Sequence, residues 1–142
     1  MNSFSVLLVD DEIDYVETLV KRMKKRHVGV SGVRSGEEAL DFMEKNPIDV
    51  VVLDVRMPGM GGIETLRAIK QQFPIVEVIM LTGHASLEVA REGMELGAFD
   101  YLIKPINIDE LLFKLQDANE KKMIQEKKIQ GLKEVFDSSE GR

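Results

Sequence analysis

The chain has 142 residues, 44% of them apolar, and a formal net charge of −6 with an isoelectric point near 5.0. This length suits one domain with a hydrophobic core, and the acidic balance argues against direct binding to nucleic acid. The absence of cysteine excludes disulfides, thiolate metal sites and cysteine nucleophiles. The N-terminus lacks a signal-peptide pattern and no apolar run is long enough to span a membrane, so we expect a cytoplasmic protein.

The first third of the chain predicts two strands with a helix between them. Residues 5–9 form a buried type of strand that leads into the acidic Asp10-Asp11-Glu12. Residues 28–33 contain two glycines and therefore favour an edge strand. The intervening helix has apolar residues at the spacing of one face, namely Val16, Leu19, Val20 and Met23.

A second helix and a central strand follow. Ser35 is the predicted N-cap of the helix, with Glu38 at the capping-box position, and Asn46-Pro47 ends it. Residues 48–53 are the predicted central strand, in which residues 50–53 form a short apolar run rich in β-branched residues, which is typical of a strand covered on both faces. Asp54 stands at the carboxyl end of that strand.

The second half of the chain repeats the alternation. Pro74 stops the third helix. Five strands alternating with five helices predict an α/β fold, a parallel sheet with helices on both faces and right-handed crossovers. The remaining predicted elements are helices at residues 63–72, 86–96 and from Asn107 or Asp109 onward, and strands at residues 76–81 and 99–103.

Beyond Asn119 the composition changes to a charged, helix-prone segment. We predict a domain over residues 1–120 and a helical tail or linker over residues 121–142, with a frayed polar end. The heptad pattern of apolar residues is broken at Lys122 and Gln125, and apolar residues return at Ile129, Leu132 and Phe136. This pattern gives the hypothesis that the tail extends the fifth helix and forms a homodimer.

The carboxyl ends of the predicted strands gather polar side chains, because parallel strands share one carboxyl edge. These side chains are Asp10, Asp11, Asp54, Thr82 and Lys104. Three carboxylates about 4 Å apart repel by roughly 4 kcal/mol per pair at an effective dielectric constant of about 20, which is more than one ammonium group offsets.

An all-oxygen site without histidine or cysteine favours Mg²⁺, which commonly shares its ligand shell with a phosphate. The cluster therefore predicts a phosphoryl-handling site. Asp54 is the candidate nucleophile or phosphate neighbour, while Thr82 and Lys104 supply a hydrogen bond and a charge to phosphoryl oxygens.

Four short motifs follow the strand ends in series: Val9-Asp10-Asp11-Glu12, Leu53-Asp54-Val55-Arg56-Met57-Pro58-Gly59, Leu81-Thr82-Gly83 and Tyr101-Leu102-Ile103-Lys104-Pro105. Over roughly residues 4–120 the chain resembles the receiver domain of two-component response regulators, of the chemotaxis-regulator type. The resemblance implies a flavodoxin-like, doubly wound sheet with strand order 2-1-3-4-5. It also implies a phosphoacceptor, not a substrate-converting enzyme, which takes a phosphoryl group on Asp54 from a sensor histidine kinase with Mg²⁺ bound.

The resemblance also implies roles for single residues. Asp11 and Asp54 would bind Mg²⁺ directly, Asp10 would bind it mainly through water, and the backbone carbonyl of Arg56 would complete the protein ligands. Lys104 would pair with the phosphoryl group.

A conformational switch is implied as well. Thr82 would move toward the phosphoryl group and Tyr101 would turn inward, which changes the face formed by the fourth helix, fifth strand and fifth helix. That face would contact a downstream protein that the sequence does not identify. The bond between Lys104 and Pro105 would be cis.

Two other functions are open at this point. A Mg²⁺-dependent phosphohydrolase of small phosphate esters would also use Asp54, but such enzymes usually place a second acid where Arg56 stands. A flavin or nucleotide carrier would share the fold, although it needs a glycine-rich loop where Asp10 and Asp11 would repel a phosphate.

Overall fold

The computed structural model describes residues 4–57, 59–83 and 87–140. Within these ranges the chain alternates five strands with five helices, as the sequence predicts. The elements are β1 (Ser5–Val9), α1 (Ile13–Lys25), β2 (Gly29–Val33), α2 (Gly36–Lys45), β3 (Val50–Asp54), α3 (Gly62–Gln72), β4 (Glu77–Thr82), α4 (Leu87–Glu95), β5 (Asp100–Ile103) and α5 (Ile108–Glu140).

The strands form one parallel sheet in the order β2-β1-β3-β4-β5, which confirms the predicted doubly wound fold. Every residue of β3 is buried, because α1 and α5 cover one face of the sheet and α2 and α3 pack on the other. The glycine-containing β2 lies at an edge, as predicted. No helix among the described residues combines the length and apolarity needed to cross a bilayer.

Helix starts follow the predicted caps. The Ser35 hydroxyl accepts a hydrogen bond from the Glu38 backbone N–H at 3.1 Å. Asn107, rather than Asp109, starts α5, because its side-chain oxygen accepts from the Glu110 N–H at 3.1 Å. The predicted start of the fourth helix at Ser86 lies outside the described residues.

The loop after β3 passes very close to the start of α3. A Cβ atom at Gly62 would lie 2.6 Å from the Val55 Cα and 2.8 Å from two backbone oxygens, and real Cβ contacts are not that short. Glycine at this position therefore lets α3 begin against the loop that follows Asp54.

α5 is one continuous helix of 33 residues. The backbone of α5 is helical through Glu140, and the frayed polar end stays a prediction. No proline interrupts the segment, and a single glycine, Gly131, costs a helix only about 1 kcal/mol. The division into residues 1–120 and 121–142 stays a prediction, since no break in the helix marks it.

Candidate functional site

The predicted residues lie at the ends of four strands, at the carboxyl edge of the sheet. Asp10 and Asp11 directly follow β1, Asp54 is the last residue of β3, Thr82 is the last residue of β4, and Lys104 follows β5. The register places these ends level, since Asp54 pairs with Leu81 and Thr82 pairs with Ile103. The parallel arrangement thus gathers residues that are up to 94 positions apart in the chain.

The three aspartates form a compact acidic cluster. Carboxylate oxygens of Asp10, Asp11 and Asp54 lie within 4.8 Å of one another. Asp10 is fully buried and Asp54 is 6% exposed, whereas Asp11 is more open to solvent. One oxygen of Asp10 accepts a hydrogen bond from the Glu12 backbone N–H at 3.0 Å, which fixes its orientation.

Lys104 brings a positive charge to the site. Its Nζ donates to Asp10 Oδ2 at 2.9 Å and lies 3.5 Å from Asp54 Oδ1 and 3.9 Å from Glu12 Oε1. Burial opposes the ammonium form, but the hydrogen bond to Asp10 and the nearby carboxylates outweigh it and raise the pKa of Lys104. The bond between Lys104 and Pro105 is cis, as predicted.

The surroundings of Asp54 in the folded protein disfavour its negative charge. Burial, followed by the negative charge of Asp10, raises its pKa from 3.8 to about 6, although Lys104 and the hydrogen bond from the Arg56 backbone N–H act in the opposite direction. Among the described residues, Lys104 therefore does not fully offset the effects of burial and of Asp10 on Asp54. Three oxygen donors and the disfavoured charge of Asp54 fit a hard divalent cation such as Mg²⁺.

Among the described residues, no hydrogen bond joins the two predicted switch residues, Thr82 and Tyr101. Thr82 is 1% exposed, and its hydroxyl donates to the Gly83 carbonyl at 2.9 Å. Tyr101 is 37% exposed on β5. Tyr101 therefore lies at the surface and Thr82 lies buried at the carboxyl edge of the sheet. The predicted inward turn of the Tyr101 ring stays a prediction.

Two further parts of the predicted motif after β3 concern Arg56 and Pro58. Arg56 contributes its backbone N–H to Asp54, and its carbonyl as a metal ligand stays a prediction. Pro58 of the same motif lies outside the described residues.

Sequence reasoning missed Tyr15. The Lys104 ammonium lies over its ring, 4.4 Å from the centroid. One signal could have found it: Tyr15 sits in the first turn of α1, close to the acidic pair, and so lies beside the same edge of the sheet.

The fold and the site define a class of protein, a doubly wound α/β domain with an acidic cluster and Lys104 at the carboxyl edge of its sheet. Residues 6–116 match the family model of the response regulator receiver domain. The chain belongs to this family of receiver domains.

Individual relatives agree with the family match. The chain is 37% identical over 82% of its length to the transcriptional regulatory protein ZraR of Escherichia coli, strain K12, and 31% identical over 99% to a putative response regulator NtrX-like of Rickettsia bellii. It spans only 26% and 30% of those two proteins. A solved receiver domain from Clostridium thermocellum is 33% identical with a TM-score of 0.82, covering 86% of this chain and 98% of that one.

Proposed function

We propose that this chain is a phosphoacceptor module of two-component signal transduction and that Asp54 is its phosphorylation site. One observation carries the proposal: a buried Asp54 carboxylate lies beside two further carboxylates within 4.8 Å and has the Lys104 ammonium 3.5 Å from its Oδ1. A phosphoryl group on Asp54 would find a cation at hydrogen-bonding range in the same place.

The chemistry is a phosphoryl transfer. An Asp54 carboxylate oxygen forms a bond to phosphorus while the bond from phosphorus to a histidine nitrogen of a sensor kinase breaks, and the leaving imidazole keeps the electron pair and takes up a proton. Lys104 lies where it would offset the charge of the new phosphoryl oxygens. Attack of water on phosphorus then releases inorganic phosphate and restores the Asp54 carboxylate, so we expect self-catalysed turnover of the acyl phosphate and no other enzyme activity.

The acidic cluster is the proposed Mg²⁺ site. Asp11 and Asp54 would hold the ion directly, Asp10 mainly through water, and Arg56 through its backbone carbonyl. When bound, Mg²⁺ would neutralise carboxylate and phosphoryl oxygens. The raised pKa of Asp54 supports this assignment, because a nearby dication favours the ionised carboxylate that must act as nucleophile.

The output is proposed to run through the face formed by α4, β5 and α5. A new dianion at Asp54 would draw the Thr82 hydroxyl toward it, and Tyr101 would move into the space released. We propose that residues 1–120 act as the receiver and that residues 121–142 act as a helical tail or linker, in a cytoplasmic protein that itself makes no contact with nucleic acid. Several of the curated relatives are named as transcriptional regulators, and the chain spans only about a quarter of each of them.

Acetyl phosphate tests the phosphorylation site. With Mg²⁺, the intact protein should gain one acid-labile phosphate by mass spectrometry, and Asp54→Asn should abolish the gain. Asp117→Asn, on the exposed side of α5, is the matched control and should keep it.

Three outcomes would contradict the proposal. The protein could remain unmodified while another receiver domain is phosphorylated under the same conditions, or the modification could persist in Asp54→Asn. Turnover of a phosphate ester far faster than loss of the acyl phosphate would instead favour the phosphohydrolase.

A further inference from the structure

Lys104 contacts two kinds of group at once. Its Nζ donates to Asp10 at 2.9 Å, and it lies over the ring of Tyr15, 4.4 Å from the ring centroid. The face of an aromatic ring attracts an ammonium group at this distance, and more strongly where water is excluded. Lys104 is partly buried here, so the ring is a significant partner for it.

Carboxylates attract the ammonium from two directions: Asp10 and Asp54 lie on the side of the site, and Glu12 lies on the other. A lysine side chain has a flexible four-carbon stem, and the carboxylate of the exposed Glu12 lies only 3.9 Å from Nζ on the solvent side. Without the ring, only the hydrogen bond to Asp10 and the attraction of Asp54 would oppose a turn of the Lys104 side chain toward Glu12 and bulk water. With the ring, the ammonium stays within 3.5 Å of Asp54.

The ring and the hydroxyl of Tyr15 can be considered separately. Among the described residues, the buried Tyr15 hydroxyl has no hydrogen-bond partner, and an unpaired buried donor is unfavourable for the folded state. The hydroxyl therefore does not explain why a tyrosine occupies this place. The ring packs against the core of the domain and also borders a cavity of about 120 Å³ next to Pro105, so a test must separate its packing from its contact with Lys104.

We propose that Tyr15 is a positioning residue whose ring holds the Lys104 ammonium beside Asp54, ready to receive the phosphoryl group. This inference rests on the proposed function, because it assigns to Tyr15 an effect on phosphorylation at Asp54. It does not make Tyr15 a contact of the phosphoryl group itself.

The test measures the rate of phosphorylation by acetyl phosphate at saturating Mg²⁺, using intact mass. Removing the ring in Tyr15→Leu should slow the reaction about threefold to thirtyfold, the range that an ammonium–ring contact supports. Tyr15→Met provides a second apolar replacement in case the leucine variant folds poorly. Tyr15→Phe keeps the ring and should stay within about twofold of the wild type. Phe113→Leu removes an exposed aromatic ring from α5 and is the matched control, with no change expected.

A double-mutant cycle separates positioning from packing. In a Lys104→Met background, Tyr15→Leu should cause no further slowing, because the ammonium that the ring holds is gone. Equal slowing in both backgrounds would overturn the inference, as would a leucine variant as fast as the wild type or a phenylalanine variant as slow as leucine.

A second readout does not depend on phosphorylation. In NMR spectra, ring currents should shift the Lys104 ε-methylene protons upfield in the wild type and in Tyr15→Phe, but not in Tyr15→Leu. The absence of this shift in the wild type would overturn the inference. If the shift is present but the wild type takes up no phosphate, the proposed function fails and the role in positioning Lys104 for phosphorylation fails with it. If the wild type is phosphorylated and the leucine variant matches it, only the inference about Tyr15 fails.

Discussion

Replacing Asp54 by asparagine should stabilise the protein when Mg²⁺ is absent. Burial and the neighbouring Asp10 raise the pKa of Asp54 from 3.8 to about 6 in the folded state. Because the folded-state pKa is the higher one, proton binding favours folding. This contribution is fully present below pH 4 or so and is lost as the pH rises through about 6.

The magnitude follows from the same values. One pKa unit corresponds to about 1.4 kcal/mol, so ionising Asp54 costs the folded state about 3 kcal/mol at pH 7.5. Asparagine removes that charge and can still accept the hydrogen bond from the Arg56 N–H. We expect Asp54→Asn to raise the free energy of unfolding by about 2–3 kcal/mol at pH 7.5, and by about half as much at pH 5.

Urea denaturation in EDTA at the two pH values measures this difference. Asp117→Asn is the control and should change the free energy of unfolding by less than about 0.5 kcal/mol, because it replaces an exposed carboxylate. The reasoning would be refuted by an Asp54→Asn variant that is no more stable than the wild type at pH 7.5. A stability gain that grows as the pH falls would refute it as well.

Three further perturbations can be measured by the same denaturation assay. Gly62→Ala should lower the free energy of unfolding by more than about 2 kcal/mol, because the new Cβ would collide with backbone atoms that cannot move without strain. Gly131 has open space around it, so Gly131→Ala should instead stabilise α5 by about 0.5–1 kcal/mol. Lys122→Met should lower the free energy of unfolding by about 1.5–3 kcal/mol, because it removes a hydrogen bond between charged groups, the one that the largely buried ammonium donates to Asp49 at 2.7 Å. Lys127 is exposed, so Lys127→Met should have little effect. Mg²⁺ should raise the unfolding midpoint of the wild type by binding only the folded state, and the midpoint of Asp54→Asn much less; equal increases would contradict the assigned site.

The Lys122 contact also bears on the helical tail. Its Nζ donates to Asp49 at 2.7 Å and to Glu126 at 2.6 Å, so the start of the tail is attached to the domain at the amino-terminal edge of the sheet. Beyond this point Ile129, Leu132 and Phe136 are exposed on α5. The homodimer hypothesis therefore concerns only the last part of the helix, and light scattering with and without acetyl phosphate tests it.

The sequence by itself determined the order of the elements and the set of residues at the carboxyl edge. Those features follow from local patterns: the continuous apolar run of β3, the capping pair Ser35 and Glu38, and the rule that parallel strands end on one side. The strand order was implied by resemblance to the receiver family, since periodicity within one element does not say which strands are neighbours.

Only the tertiary structure decided the finer properties of the site. The ring of Tyr15 under Lys104, the raised pKa of Asp54 and the pairing of Lys122 with Asp49 depend on distances between segments that are far apart in the chain. Desolvation and charge interactions change over a few ångströms, which is a scale that sequence spacing does not specify. The sequence thus predicted which residues form the acidic cluster, and the fold determined the distances and burial that set the environment of each charge.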